Sequence, residues 1–386
     1  MKDIQDIFYS HLQQIRESNL PFHVKKTAEE IAICRTNAMH GLVFTCPENH
    51  FSVFLRNSCN NRNCPTCQGH HRNSWNKRNK KMALEFPHYH LVFKLPAFCY
   101  PVFLKYYKNF VNILFESSKK SIAKILKYSQ YELSTPGTIM VTHTYGEDNQ
   151  LHPHLHIAMT AGGLSTDEKK WINYEQNLFS IDKFNHVYTV FLKKQLTAFY
   201  KKNPSLGVEF YENIVKIQSS DIYLSEKYDN AEPLINYLSK TVKGSSIHNQ
   251  DILDIDNNLV KYKLKSGKTT QLNEDEFIRR FLLHVLPPQL KSVRYSGLYS
   301  SSSRNKLNQA KKLISEFPHL KNEIIEIPEE ETMEEIELFA PHKYCPVCSK
   351  KMHLVEKVLP FSVPRIIYIK FGKDPPIEEL FNRIAA

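Results

Sequence analysis

The sequence predicts an α+β protein. Strand-like runs that pair as adjacent hairpins, with amphipathic helices between them, point to an antiparallel sheet covered by helices. A dense group of Cys ahead of these runs predicts a separate metal-bound module. At 386 residues the chain has room for two or three domains. The boundaries read as a helical lead and Cys-rich module over 1–82, an α+β core over 83–300, and a C-terminal region over 301–386.

The elements follow in order. Ile4, Ile7, Phe8, Leu12 and Ile15 recur at helical spacing within residues 3–32. Residues 34–75 hold five of the eight Cys among many Asn and Arg, and are too poor in apolar residues to build a core alone. FPHYHLVFKLP, from Phe86, reads as a strand ended by Pro96. Phe103, Tyr106, Tyr107, Phe110, Ile113 and Leu114 then share a helix face. Residues 138–160 read as a hairpin with a polar turn at Gly146 to Gln150. Helices are expected near 181–200 and 231–242, and a hairpin over 259–273 turning at Ser266-Gly267. EFIRRFLLHVLP, from Glu276, is helical up to Pro287, and Ser300 to Ser303 marks a hinge.

Charge narrows the partner. Lys and Arg number 51 against 40 Asp and Glu, a formal +11. Glu323 to Glu337 holds eight Glu and no basic residue, so outside it 51 basic residues face 32 acidic ones, a formal +19. That surplus points to a polyanion, nucleic acid foremost. No apolar run reaches the roughly eighteen residues of a membrane span. The N-terminus is too polar for a signal peptide, so an intracellular, cytoplasmic protein without a membrane partner is expected. In a reducing compartment the Cys do not read as disulfides.

Their spacing reads as metal. Cys64-Pro-Thr-Cys67 and Cys345-Pro-Val-Cys348 are two knuckles, each able to give two thiolates to one Zn²⁺. With Cys34, Cys46 and Cys59 they make seven ligands, and His50, four residues after Cys46, is the candidate eighth. One or two structural zincs are expected, while Cys99, in an apolar context, reads as a core thiol. A closed zinc site keeps no open position for substrate, so the module binds. Arg56, Arg62, Arg72, Lys77, Arg78, Lys80 and Lys81 suit phosphate contacts, and Asn57, Asn60, Asn61 and Asn63 suit base edges.

His154-Leu155-His156 is the second constellation. Alternation on a strand puts both imidazoles on one face and Leu155, Ile157 and Met159 on the other, so the pair can chelate one divalent ion. His152 shares that parity but precedes Pro153, and His143 on the preceding strand is a neighbour or a supporting group.

CRTNAMHG at 34, NSCNNRNCPTCQ at 57, FPHYHLVFKLP at 86, HTYGEDNQLHPHLHIAMTAGGL at 143, EFIRRFLLHVLP at 276 and VRYSGLY at 293 stand in an order that closely resembles the rolling-circle insertion-sequence transposases. Those proteins join an N-terminal zinc-binding region to a HUH single-strand endonuclease. The resemblance spans about residues 20–350. It implies an RRM-like antiparallel sheet flanked by helices, Mg²⁺ or Mn²⁺ on His154 and His156, and a helix-borne tyrosine that cuts single-stranded DNA at element ends and target. The matching tyrosine is Tyr237; where many members carry a second, four residues on, this chain has Thr241. This single-tyrosine pattern implies reuse of Tyr237 or a contribution from a second protomer, and the second alternative makes a homodimer a candidate. The zinc region also departs from the family: Asn49 stands where a Cys is expected and Asn63 where a His precedes the knuckle.

The implied chemistry is attack by Tyr237 to give a 5′-phosphotyrosine, with Lys240 one turn on to lower its pKa or hold the leaving strand. Glu232 and Asn236 are candidates for a third metal ligand. Arg279, Arg280, Lys291, Arg294 and the basic hairpin 261–268 are candidates for a single-strand channel, with Tyr295 and Tyr299 for base stacking. The competing readings are a non-catalytic zinc-dependent DNA-binding protein, such as a decayed transposase or regulator, and a metal nuclease that activates water.

Overall fold

The computed structural model describes residues 3–316 and 344–358, apart from positions 147, 176–179, 226, 243–246 and 265. The acidic run and the C-terminal tail lie outside the described residues. No described helix is long and apolar enough to cross a membrane.

The lead is helical, as its periodicity predicts: α1 (Ile4–Ser10), α2 (Leu12–Glu17) and α3 (Phe22–Ala32). Asp3 starts α1 by accepting from the Gln5 and Asp6 amides, and Asp6 returns a bond to the Asp3 amide. β1 (Gly41–Thr45) and β2 (Ser52–Arg56) form a hairpin that periodicity alone did not reveal. α4 (Gln68–Met82) begins at Cys67. β3 (His88–Lys94) stops before Pro96, and α5 (Tyr100–Phe103) and α6 (Tyr107–Lys127) follow. Next come β4 (Ser134–Thr135), β5 (Gly137–Tyr145), β6 (Leu151–Thr160), β7 (Gly162–Ser165) and β8 (Trp171–Asn173). Then α7 (Ile181–Lys202), α8 (Val208–Lys216), β9 (Ile222–Leu224) and α9 (Glu232–Val242) complete the layers.

β10 (Ile252–Asp256), β11 (Leu259–Lys263) and β12 (Thr269–Asn273) form a small sheet that leads into α10 (Glu274–Leu282). β13 (Val293–Gly297), α11 (Arg304–Glu316) and β14 (His353–Val358) end the described chain. Ser301 to Ser303 form a short turn that opens α11, not a hinge, because Ala310, Leu313 and Ile314 bury α11 against the main core.

The central sheet is antiparallel throughout, in the order β13-β5-β6-β3-β9. One face carries Tyr89, Leu91, Phe93, Leu155, Ile157 and Met159, buried beneath α6 and α7. Phe93 meets Phe184 and Tyr188 of α7 at ring separations of 6.2 and 4.8 Å. The opposite face carries His143, His154, His156 and His90, and α9 lies over it with α4 packed on α9. Pro153 sits in the central strand where the β5–β6 register shifts, the position at which a missing amide is tolerated.

A second core joins α1, α2 and α3 to the β10–β12 sheet and α10, with Phe8 and Phe281 rings 5.0 Å apart. β14 pairs with β1, so the C-terminal Cys pair lies against the N-terminal hairpin.

Leu155 is fully buried between His154 and His156. Leu155→Ala is expected to lower unfolding stability by about 2–5 kcal/mol. Val190→Ala, at an exposed position, is expected to stay within about 0.5 kcal/mol. Urea denaturation checks both.

Candidate functional site

Register assembles the histidine group. His154 of β6 pairs with His143 of β5, and His156 pairs with Val141 on one side and Val92 on the other. Directly paired residues share a face, so the strand alternation expected for His154 and His156 gains His143 from the neighbouring strand. The ring nitrogens of these three lie within 4.8 Å of one another, and all three residues are buried.

The tautomers follow from the partners. The His152 carbonyl can only accept, so His154 Nδ1, at 2.6 Å, carries the hydrogen and its Nε2 keeps a lone pair. His154 Nε2 faces His156 Nε2 at 2.9 Å. His90, which carried no expectation from the sequence, meets His156 Nδ1 through its own Nε2 at 2.7 Å and orients that ring. Its alternation with Val92 on β3 was the available signal. Burial pulls the His90 pKa down to about 4. His152 turns instead to the Tyr100 hydroxyl, 3.0 Å from its Nδ1.

Tyr237 is brought to this group. Its ring stands edge-on to His90 and His156, with centroids 5.4 and 5.6 Å away, and the residue is 45% exposed. Partial burial, and then the neighbouring Tyr228 and Tyr223, raise its pKa, so the phenol is protonated at neutral pH. Lys240 is exposed and makes no hydrogen bond or ion pair among the described residues. Glu232 and Asn236, the candidates for a third ligand, have partners outside the histidine group. They face α4, where Lys80 Nζ lies 2.5 Å from Glu232 and the Asn76 amide donates to Asn236 at 3.0 Å.

The cysteines fall into two sets of four donors. Cys34, Cys59, Cys64 and Cys67 form one, and Cys46, His50, Cys345 and Cys348 the other, each with its ligand atoms within 4.8 Å. Sulfur separations of 3.4–3.6 Å are too long for a disulfide. Backbone amides point at the sulfurs: Cys59 to Cys34, Glu48 to Cys46 and Val347 to Cys345. Hydrogen bonds among the sulfurs draw Cys34 and Cys67 below the ordinary thiol range and push Cys59 and Cys64 above it. Both donor sets fit tetrahedral zinc. Cys99 is fully buried in the main core, as expected.

Residues 7–95 match the family described as "Transposase zinc-binding domain", and residues 137–306 match that described as "Putative transposase". The chain belongs to the insertion-sequence transposases with an N-terminal zinc-binding domain. It is 26% identical over 334 residues to "Putative transposase y4qJ" of Sinorhizobium fredii, covering 81% of this chain and 84% of that one. It is 23% identical over 310 residues to "Transposase for insertion sequence element IS801" of Pseudomonas savastanoi pv. phaseolicola, covering 76% and 74%. No solved structure matches the chain significantly.

The basic residues of the transposase are spread over different surfaces. Arg72, on α4, acts electrostatically on the Tyr145 phenol, whose ring stacks on His143 at 5.8 Å. Arg56 donates to Asn37 within the hairpin module, and Arg62 is half-buried beside Tyr107, where burial lowers its pKa. Arg279 and Arg280 both pair with Glu276. Arg294 pairs in register with Met140 and so faces α6, lying on Asn112 and 4.1 Å over the Phe115 ring, on the sheet face opposite the histidines. Tyr299 is buried and offers no stacking surface, whereas Tyr295 is only half-buried. Tyr295 donates to Asn79, and the buried Tyr299 hydroxyl bonds His88 and the Leu84 amide.

Metal analysis of purified transposase is expected to return two zincs per chain, with Cys64→Ser and Cys348→Ser each removing one. Burial also pulls His88 down to about 4. The unfolded ring takes a proton near about pH 6.5, whereas the folded one stays neutral down to about 4. Stability is therefore full above about pH 6.5 and falls as pH drops toward 4. Urea midpoints across that window are expected to fall less steeply in His88→Gln.

Proposed function

We propose that this transposase cuts and rejoins single-stranded DNA at element ends through a 5′-phosphotyrosine on Tyr237, in rolling-circle transposition. The observation that carries this reading is the half-exposed Tyr237 ring set against the buried histidine group. A five-stranded antiparallel sheet with helices on both faces supports an RRM-like HUH nuclease core.

His143, His154 and His156 are the proposed ligands of a divalent ion. They offer nitrogen alone, whereas Mg²⁺ or Mn²⁺ also prefers oxygen, which water and the substrate would supply. Held there, the ion supplies charge neutralisation at the phosphate oxygens. The Tyr237 oxygen bonds to phosphorus as the bond to the 3′-oxygen breaks. The phenol proton passes to solvent, and the departing 3′-oxygen takes one up. Attack by a 3′-hydroxyl on the resulting ester rejoins a strand without ATP, because the ester keeps the bond energy.

α4 couples the zinc module to this chemistry. It starts at Cys67, and its Asn76 and Lys80 hold α9, which carries Tyr237. In this reading its basic residues, Arg72 included, meet the strand's phosphates, and Lys240 on the exposed side of α9 holds the leaving strand.

Incubation with labelled single-stranded element ends and Mn²⁺ is expected to give a denaturant-stable adduct. Tyr237→Phe should abolish it and lower cleavage by at least about a hundredfold. Cleavage without an adduct would instead indicate a water-activating nuclease. Zinc-dependent binding with no cleavage would indicate a non-catalytic DNA-binding protein.

A further inference from the structure

The histidine face of the sheet continues past the metal ligands. In register, His143 of β5 pairs with His154 of β6, and His154 pairs with Lys94 of β3. Beyond Lys94, Asp221 at the entrance to β9 takes the Lys94 ammonium in an ion pair. Asp221, Lys94, His154 and His143 therefore form one row across the sheet. A cleft of about 640 Å³ opens beside the row, lined among others by Lys94, Tyr100, His152, Asn213, Lys216 and Asp221. It lies outside the histidine group, and Tyr237 does not line it.

The chemistry of this wall is mixed. Lys94 and Lys216 bring positive charge; Tyr100 and His152 bring rings that are already bonded to each other. The Asp221 carboxylate is 72% exposed. The volume falls within the roughly 300–1,000 Å³ of small-ligand pockets. A strand whose phosphate sits over His154 has Lys94 as its next neighbour across the sheet.

We propose that the cleft is a nucleotide subsite that receives the base beside the scissile phosphate, with Lys94 and Lys216 on the flanking phosphate and Asp221 on the base edge. This rests on the single-strand cleavage proposed above. Unpaired bases expose their Watson–Crick edges to such a reader. A backbone phosphate arriving at Lys94 competes for its ammonium and releases Asp221. A carboxylate only accepts hydrogen bonds. Guanine presents two adjacent N–H groups, N1 and N2, to its two oxygens, the paired geometry that makes such bonds strong. Guanine is thus the base that fits.

The test uses full-length transposase, Mn²⁺ and labelled single strands varied at the two nucleotides on each side of the cut. Wild type is expected to form adduct with guanine at one flanking position about tenfold better than with other bases. Asp221→Ala is expected to flatten that preference to within about twofold. Asp221→Asn, with one acceptor and one donor, is expected to shift it away from guanine. Wild type without a flanking preference, or Asp221→Ala with the wild-type preference, overturns the subsite. Fluorescence anisotropy with the same strands and no metal separates the two readings. Base preference retained in binding but no adduct in wild type refutes the cleavage reading alone; neither adduct nor preference refutes both.

Discussion

Antiparallel pairing of β6 with β3 and β5 is the constraint on which the rest of the molecule depends. A two-residue side-chain period divides β6 into Leu155, Ile157 and Met159 beneath α6 and α7, and His154 and His156 on the other side. A slip of one residue would exchange these sets, putting imidazoles in the apolar core and its Leu and Ile on the histidine face. The hydrophobic layer therefore holds the imidazoles in place. The same register sets His143 and Lys94 beside His154, so a row of functional groups appears across strands that are distant in sequence.

Above that face, α9 is held from two directions. Leu234, Ile235 and Leu238 bury its apolar side against the sheet, and α4 contacts it through Asn76 and Lys80. Because Cys67 sits at the start of α4, the four-sulfur group and the position of Tyr237 are mechanically linked through a single helix. The other donor set joins Cys46 and His50 to Cys345 and Cys348, across 302 residues between Cys46 and Cys348, and β14 beside it adds a third strand to the β1–β2 hairpin. A region too poor in apolar residues to make its own core is thus held by its ligand sets and by one borrowed strand. The two knuckles were readable from spacing; their sorting into two sets of four was not, since any pairing of Cys34, Cys46 and Cys59 with them satisfied the count.

Much of the fold was legible because its signals are local. The 138–160 hairpin has alternation plus a polar turn, and the helices at 181–202 and 232–242 have apolar stripes. β10 and α11 escaped because their burial comes from partners far away: the N-terminal helices for β10 and the main core for α11. Tyr299 misled for a related reason. Exposed and buried aromatics look alike in sequence, and only its burial and its bonds to His88 and Leu84 show that Tyr299 is structural. Arg294 likewise reads as free charge until its register with Met140 puts it on the α6 side.

By itself the sequence determined the kinds of chemistry available: thiolate knuckles, a His-x-His strand, a basic surplus and a helix with one tyrosine at the matched position. These depend on residue identity and short spacing, which local geometry translates directly. Which groups meet was decided only by the tertiary structure. His143 and His90 joined the pair on β6, Glu232 and Asn236 turned to α4, and Asp221 met Lys94. Each of those outcomes requires strand register or helix packing between segments far apart in the chain, and neither is encoded in any one of them alone.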